Sequence, residues 1–220
     1  MGSRSADRSA SAINCVAEGF TCSLRPPFLA EFIVDHLCAS VEVRMNQIDT
    51  TILPGDVLFM ERALQHARQA GERGEVPVGA VVVHDNRIIG NGHNRREELQ
   101  SPIAHAEVFA LEEASRELGS WRLTQCDLYV TLEPCIMCAG VILQARLRRI
   151  IFGCLDPKAG AVISLYSLCG DRRLNHQVPA TAGVMAEECA SVLGEFFSSL
   201  REKKRNSRNA ERWPSTAEGA

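Results

Sequence analysis

Tyr129-Val130-Thr131-Leu132-Glu133-Pro134-Cys135-Ile136-Met137-Cys138 is a β-forming run that breaks at a proline and delivers two cysteines three residues apart. Leu128–Leu132 reads as a strand, and Cys135 to about Ala145 as the helix that follows it. Residues three apart share a helical face, and the positive end of a helix favours thiolates, so Cys135 and Cys138 form a pair of metal donors. About thirty residues earlier, His105-Ala106-Glu107 lies at the start of another expected helix. One imidazole and two thiolates suit Zn²⁺. A structural zinc site normally closes with four protein ligands, so a set of three leaves a position for water, as catalytic sites do. Zinc can bring bound water to a pKa near 7, and Glu107, two residues beyond His105, can stay off the metal and relay that proton.

Alternation of strands and helices surrounds these two segments. Asp56 can cap a helix in which Val57, Met60, Leu64 and Ala67 follow helical spacing until Gly71. Ala80–His84 is a β-branched run, Asp85-Asn86-Arg87 a turn and Arg87–Gly90 a second strand, together a hairpin. Ser101-Pro102 is expected to open the helix carrying His105, with Ala104, Val108, Leu111 and Leu118 on one face and Gly119 closing it. After the Cys135 helix come the strand Arg149–Phe152, a short strand in Val178–Gly183, and a helix Glu187–Arg205 with Cys189, Leu193, Phe196 and Leu200 inward. Such alternation implies an α/β layer structure with crossover helices on a sheet.

Residues 1–54 read as an N-terminal extension. Ser3–Ser11 is Ser/Arg/Ala-rich as transit peptides are, but Asp7, Glu18, Glu31, Asp35 and Glu42 argue against a cleaved presequence. A disordered leader or an over-extended start, with Met45 as the natural beginning, fits better. Residues 55–205 form the expected catalytic domain, and 206–220 a polar, flexible tail. The 220 residues are 45% hydrophobic and 23% charged, which excludes global disorder and coiled coil. The longest candidate span, Phe28 to Val43, is interrupted by Glu31, Asp35, His36 and Glu42, which excludes an integral membrane protein. Nine cysteines, an odd number in a chain long enough to build its own core, favour a reducing compartment, and we expect a cytoplasmic protein. Cys15, Cys22, Cys38, Cys126, Cys154, Cys169 and Cys189 lack ligand spacing and read mostly as small buried hydrophobes.

The paired H-x-E and P-C-x-x-C segments match the zinc-deaminase signature. More specific stretches narrow it: Glu75-Val76-Pro77-Val78-Gly79-Ala80-Val81, Gly92-His93-Asn94-Arg95, Ala104-His105-Ala106-Glu107, the quoted 129–138 run continued by Ala139-Gly140, Phe152-Gly153, and Asp156-Pro157-Lys158-Ala159-Gly160. Over approximately Asp56 to Arg205 the chain resembles the bacterial-type tRNA-specific adenosine deaminases. The resemblance implies a three-layer α/β/α cytidine-deaminase-like fold with a five-stranded mixed sheet. It implies hydrolysis of the wobble adenosine of a tRNA anticodon to inosine through a zinc-bound hydroxide, with one Zn²⁺ per subunit on His105, Cys135 and Cys138, Glu107 as proton shuttle, and a homodimer. Asn94 matches a base-binding asparagine, fitting because an amide both donates and accepts, and Val76 and Leu132 match apolar pocket walls. Ser101-Pro102-Ile103 departs from the usual Asp-Pro-Thr, which puts loop contacts at the site entrance in doubt.

Net charge is −3, from 24 basic and 27 acidic residues, so RNA must be met by a local patch. Arg95-Arg96, Arg146, Arg148-Arg149, Lys158 and the run Arg201, Lys203, Lys204, Arg205, Arg208 could line a phosphate track, Lys158 and the C-terminal run above the others. The alternative function is a deaminase of free nucleobases, nucleosides or nucleotides such as guanine, cytosine or deoxycytidylate, which shares the zinc chemistry. A non-catalytic zinc module would need no Glu107 and would want a fourth protein ligand.

Overall fold

The computed structural model describes the backbone of residues 51–212 and the side chains of residues 51–208. In chain order it contains α1 (Asp56–Glu72), β1 (Gly79–His84), β2 (Arg87–His93), the single turn α2 (Arg96–Leu99), α3 (Ala106–Leu118), β3 (Cys126–Leu132), α4 (Ile136–Ala145), β4 (Arg149–Cys154), β5 (Ala180–Ala182) and α5 (Ala186–Arg212). The sheet order is β2-β1-β3-β4-β5. β1 is antiparallel to both β2 and β3, whereas β3, β4 and β5 run parallel, so the sheet is mixed.

The inner strands β1, β3 and β4 are buried almost throughout because both of their faces are covered, whereas the edge strand β2 is only partly buried. Alternate residues part company: Ala80, Val82, Leu128, Val130, Ile150 and Phe152 pack with Ala106, Ala110 and Leu111 of α3 and Ala139 and Ile142 of α4. Val81, Val83, Tyr129 and Ile151 pack with Phe59, Met60, Ala63 and Leu64 of α1 and Cys189 of α5. The result is the expected three-layer α/β/α arrangement. The hairpin turn puts Asp85 and Asn86 at φ 48° and 58°, the left-handed pair that matches strand twist in two-residue loops. At Gly92 a β-carbon would lie 2.0 Å from the Ala106 carbonyl oxygen, so α3 can descend onto β2 only because that position has no side chain.

Several local expectations change. Gly55, not Asp56, is the N-cap of α1; Asp56 turns inward and accepts hydrogen bonds from the Leu53 N–H, the Tyr129 hydroxyl and the Arg149 guanidinium. The helix expected from Ser101-Pro102 begins only at Ala106, because 101–105 is held in turns and His105 is extended at ψ 153°. Val57, Leu118 and Leu200, expected inward, are exposed, and Ala104 is buried ahead of its helix. α5 runs to Arg212, past the expected end at Arg205 and through the first part of the expected tail. The expectations for residues 1–50, with Cys15, Cys22, Cys38 and Met45, and for 213–220 lie outside the described residues.

Candidate active site

α3 and α4 lie on the same face of the sheet and start side by side. His105 and Cys135 are their N-cap residues, both in extended backbone (φ −91°, ψ 153° and φ −74°, ψ 176°), so each side chain leaves its helix at the end where peptide N–H groups are exposed. Cys138 sits one turn into α4, fully buried, while His105 and Cys135 are half-buried. His105 Nδ1 lies 3.8 Å from Cys135 Sγ and 3.5 Å from Cys138 Sγ, and the three donor atoms fall within 4.8 Å of one another.

These distances can be tested against zinc. Zn–S bonds of about 2.3 Å and Zn–N bonds of about 2.0 Å at tetrahedral angles separate sulfur from nitrogen by about 3.5 Å. The observed pairs already span that distance, so the residues fit the ion with little adjustment. Their electrostatics agree. A hydrogen bond from Cys138, reinforced by His105, draws the Cys135 thiol down to about 3, while the same contact and burial push Cys138 up. The His105 ring is raised in turn, first by its hydrogen bond to Cys135. Glu107 is 4% exposed, and burial raises its carboxyl above the usual range, only partly offset by its own backbone N–H, the His105 ring and Cys138.

Asn94 follows β2, is buried, and accepts the Ala106 N–H on Oδ1 at 3.0 Å. It is therefore the side chain that caps α3, supplied from twelve residues earlier. Its amide was expected both to donate and to accept; with Oδ1 engaged, Nδ2 is the face left to donate. Val76 lies half-buried in the turn before β1, next to Val78, whose carbonyl accepts the Asn94 N–H at 3.1 Å. Leu132, half-buried, ends β3 three residues before Cys135. Lys158 is exposed in the loop after β4, two residues from Gly160, which bridges to Cys135. Glu133, buried at 2% exposure between β3 and Pro134, was given no role from the sequence; a carboxylate between a strand and a proline was the available signal.

The imagined phosphate track loses members. Arg149 is paired with Asp56 at 2.7 Å and Asp127 at 2.9 Å, and Arg148 holds Asp127 at 2.7 Å. Arg95 is engaged by Glu98 and Arg146 by Asn175. Lys158 and the Arg201–Arg208 run stay exposed. Among the described residues no helix is long and apolar enough to cross a membrane.

Residues 55–154 match the cytidine and deoxycytidylate deaminase zinc-binding region. The tRNA-specific adenosine deaminase of Bacillus subtilis is 47% identical over 153 residues, covering 70% of this chain and 95% of that protein. The chain belongs to the tRNA-specific adenosine deaminase family. Within that family, the Aquifex aeolicus deaminase is 45% identical over 147 residues, 67% of this chain and 97% of its own length. A solved structure from work on A-to-I editing by tRNA:A34 deaminases at the wobble position of transfer RNA superposes with a TM-score of 0.60 at 47% identity, covering 61% of this chain and 98% of the other.

Proposed function

We propose that this tRNA-specific adenosine deaminase family member hydrolyses the wobble adenosine of a tRNA anticodon to inosine, water adding and ammonia leaving. The observation that carries the reading is the convergence of His105, Cys135 and Cys138 beside the buried Glu107, in a chain that spans nearly the whole length of curated tRNA deaminases. His105, Cys135 and Cys138 would hold one Zn²⁺ per chain, which supplies Lewis acidity and lowers the pKa of water towards 7.

The protein's own groups do the rest. Glu107, whose carboxyl burial raises above its usual range, takes a proton from the attacking water and passes it to a ring nitrogen of the base. It then takes the remaining proton of the added oxygen and passes it to the amine, which leaves as ammonia as the ring carbonyl forms. Asn94, its carbonyl fixed on the Ala106 N–H, offers Nδ2 to an acceptor on the adenine edge. Val76 and Leu132 form the apolar walls against which the ring stacks, and Lys158 contacts a backbone phosphate. Unstacked anticodon bases can enter such a pocket without melting a duplex. The functional unit in this reading is a cytoplasmic homodimer.

The test is purified chain with zinc, assayed on an anticodon stem-loop bearing wobble adenosine beside free adenosine, cytidine and guanine. Inosine in the stem-loop, with turnover of the free compounds at least about 10²-fold lower, is the expected result, since binding energy from flanking nucleotides is realised at the reacting centre. Faster turnover of a free base or nucleoside would move the assignment to the small-molecule deaminases.

A further inference from the structure

Between the last residue of β3 and the Pro134-Cys135 pair stands Glu133. A carboxylate at this depth is stable only if its lone pairs are filled. Oε1 accepts the backbone N–H groups of Val162 at 3.1 Å, Ile163 at 2.7 Å and Ser164 at 2.9 Å. Oε2 accepts the Asp156 N–H at 3.0 Å and the Ser164 hydroxyl. All these donors come from one stretch, the loop leaving β4. That loop is wound around the carboxylate so closely that a β-carbon on Gly160 would lie 2.3 Å from Oε2.

Two more contacts fasten the same loop beside the site: the Ala161 N–H donates to the Pro134 carbonyl at 2.9 Å, and Gly160 bridges to Cys135. Asp156, itself held by Glu133, accepts the N–H groups of Lys158 at 2.9 Å and Ala159 at 3.1 Å on Oδ1. A continuous path therefore runs from Glu133 through Asp156 to the exposed Lys158.

We propose that Glu133 is a positioning residue, whose carboxylate gathers residues 156–164 against the Cys135 end of the site and so presents Lys158 to the RNA backbone. The assignment rests on the tRNA reading given above. It places Glu133 on substrate binding, with the chemical step left to Glu107.

Glu133→Gln is the informative change. The amide keeps one oxygen for the 162–164 N–H groups but turns an NH2 towards the Asp156 N–H, donor against donor, so loosening falls on the Asp156–Lys158 turn. Single-turnover deamination of the stem-loop should show a half-saturating enzyme concentration raised about tenfold, the effect of one lost charge-assisted contact. The plateau rate should stay within about threefold and zinc content unchanged. Adding Lys158→Ala to Glu133→Gln should give no further rise, because both act on one contact. Without RNA, tryptic cleavage of the folded variant after Lys158 should accelerate. Unchanged half-saturation in a folded variant, a loss confined to the plateau rate, or independent effects in the double variant would overturn the proposal. Should Glu133→Gln not fold, Ser164→Ala removes only the hydroxyl bond to Oε2 and should shift half-saturation and cleavage in the same direction, about two- to threefold; no shift overturns it. If the wild-type protein leaves the stem-loop untouched, the tRNA reading fails, and cleavage after Lys158 alone decides whether Glu133 holds the loop.

Discussion

Replacing Asn94 separates two duties that one amide performs. Its Oδ1 accepts the N–H of Ala106, a residue with no solvent exposure, so truncation to alanine leaves that donor without a partner. Losing a helix N-cap costs about 0.5–2 kcal/mol, and stranding a buried donor about 1–3 kcal/mol. These describe the same loss, so the expected destabilisation is about 1–2 kcal/mol, not their sum. For a folded unit of this size that lowers Tm by about 2–8 °C. Because Ala106 adjoins His105, Asn94→Ala should also weaken zinc retention. Asn94→Asp keeps an acceptor at the positive end of α3 and should hold stability better, but it has no Nδ2 to offer the base. Single-turnover inosine formation in Asn94→Asp should fall by about 10²-fold, the scale of one preorganised donor lost from an active site. Calorimetry and zinc analysis of Asn94→Ala, read beside kinetics of Asn94→Asp, give the answer. A Tm for Asn94→Ala equal to wild type would refute the capping argument, and near-wild-type turnover by Asn94→Asp would refute the use of the amide in binding.

Glu107→Gln should keep fold, zinc and RNA affinity while single-turnover deamination falls by about 10²–10⁴-fold, the range for a general acid–base group; retained turnover would remove Glu107 from the chemistry. The Cys135→Ala, Cys138→Ala double variant should lose zinc by elemental analysis, and stripping zinc from the wild-type protein should lower its Tm, since the complete ligand set exists only in the folded chain; full occupancy in the double variant would show that the metal binds elsewhere. Asp56 should contribute to the acid limb of stability. Burial alone would raise its carboxyl, but hydrogen bonds from Arg149, the Leu53 N–H and Tyr129 outweigh burial and hold it below the usual 3.8. A depressed folded-state value means that its contribution is complete above about pH 4 and lost as pH falls through the folded value. Tm should drop over that interval, and Asp56→Asn should flatten the drop; superimposable acid limbs would reject the argument.

The convergence of His105 with Cys135 and Cys138 was legible in the sequence because its determinants are local: a strand, a proline, and cysteines at helical spacing. The sheet was legible for a similar reason, since strands buried on both faces are rich in β-branched and other apolar residues over short stretches. Helix faces were less so. Met60, Leu64, Ala67 and Leu111 were read correctly, but Ala63 and Ala70 in α1 and Ala106, Ala110 and Ala114 in α3 share the buried stripes, and alanine carries too little hydrophobicity to outvote Val57 or Leu118 in a periodicity count. The start of α3 was misplaced because its cap arrives from Asn94 across a loop. Arg148 and Arg149 looked available for phosphate because a sequence shows a charge but not its partner. Asp56, 93 residues from Arg149, becomes a neighbour only when α1 lies across the sheet. Glu133 escaped notice for the same reason, its donors lying 23 to 31 residues downstream.

The two helix ends that share the donors belong to different halves of the sheet. α3 follows the antiparallel hairpin and grips it through Gly92, whereas α4 is the crossover between the parallel strands β3 and β4. With either half undone, the chain can offer one imidazole or two thiols, never all three together. Metal capture is therefore a test of assembly: the seam between β1 and β3 must close before a cation finds its full set of donors, and a captured cation in turn rivets that seam, joining positions 33 residues apart.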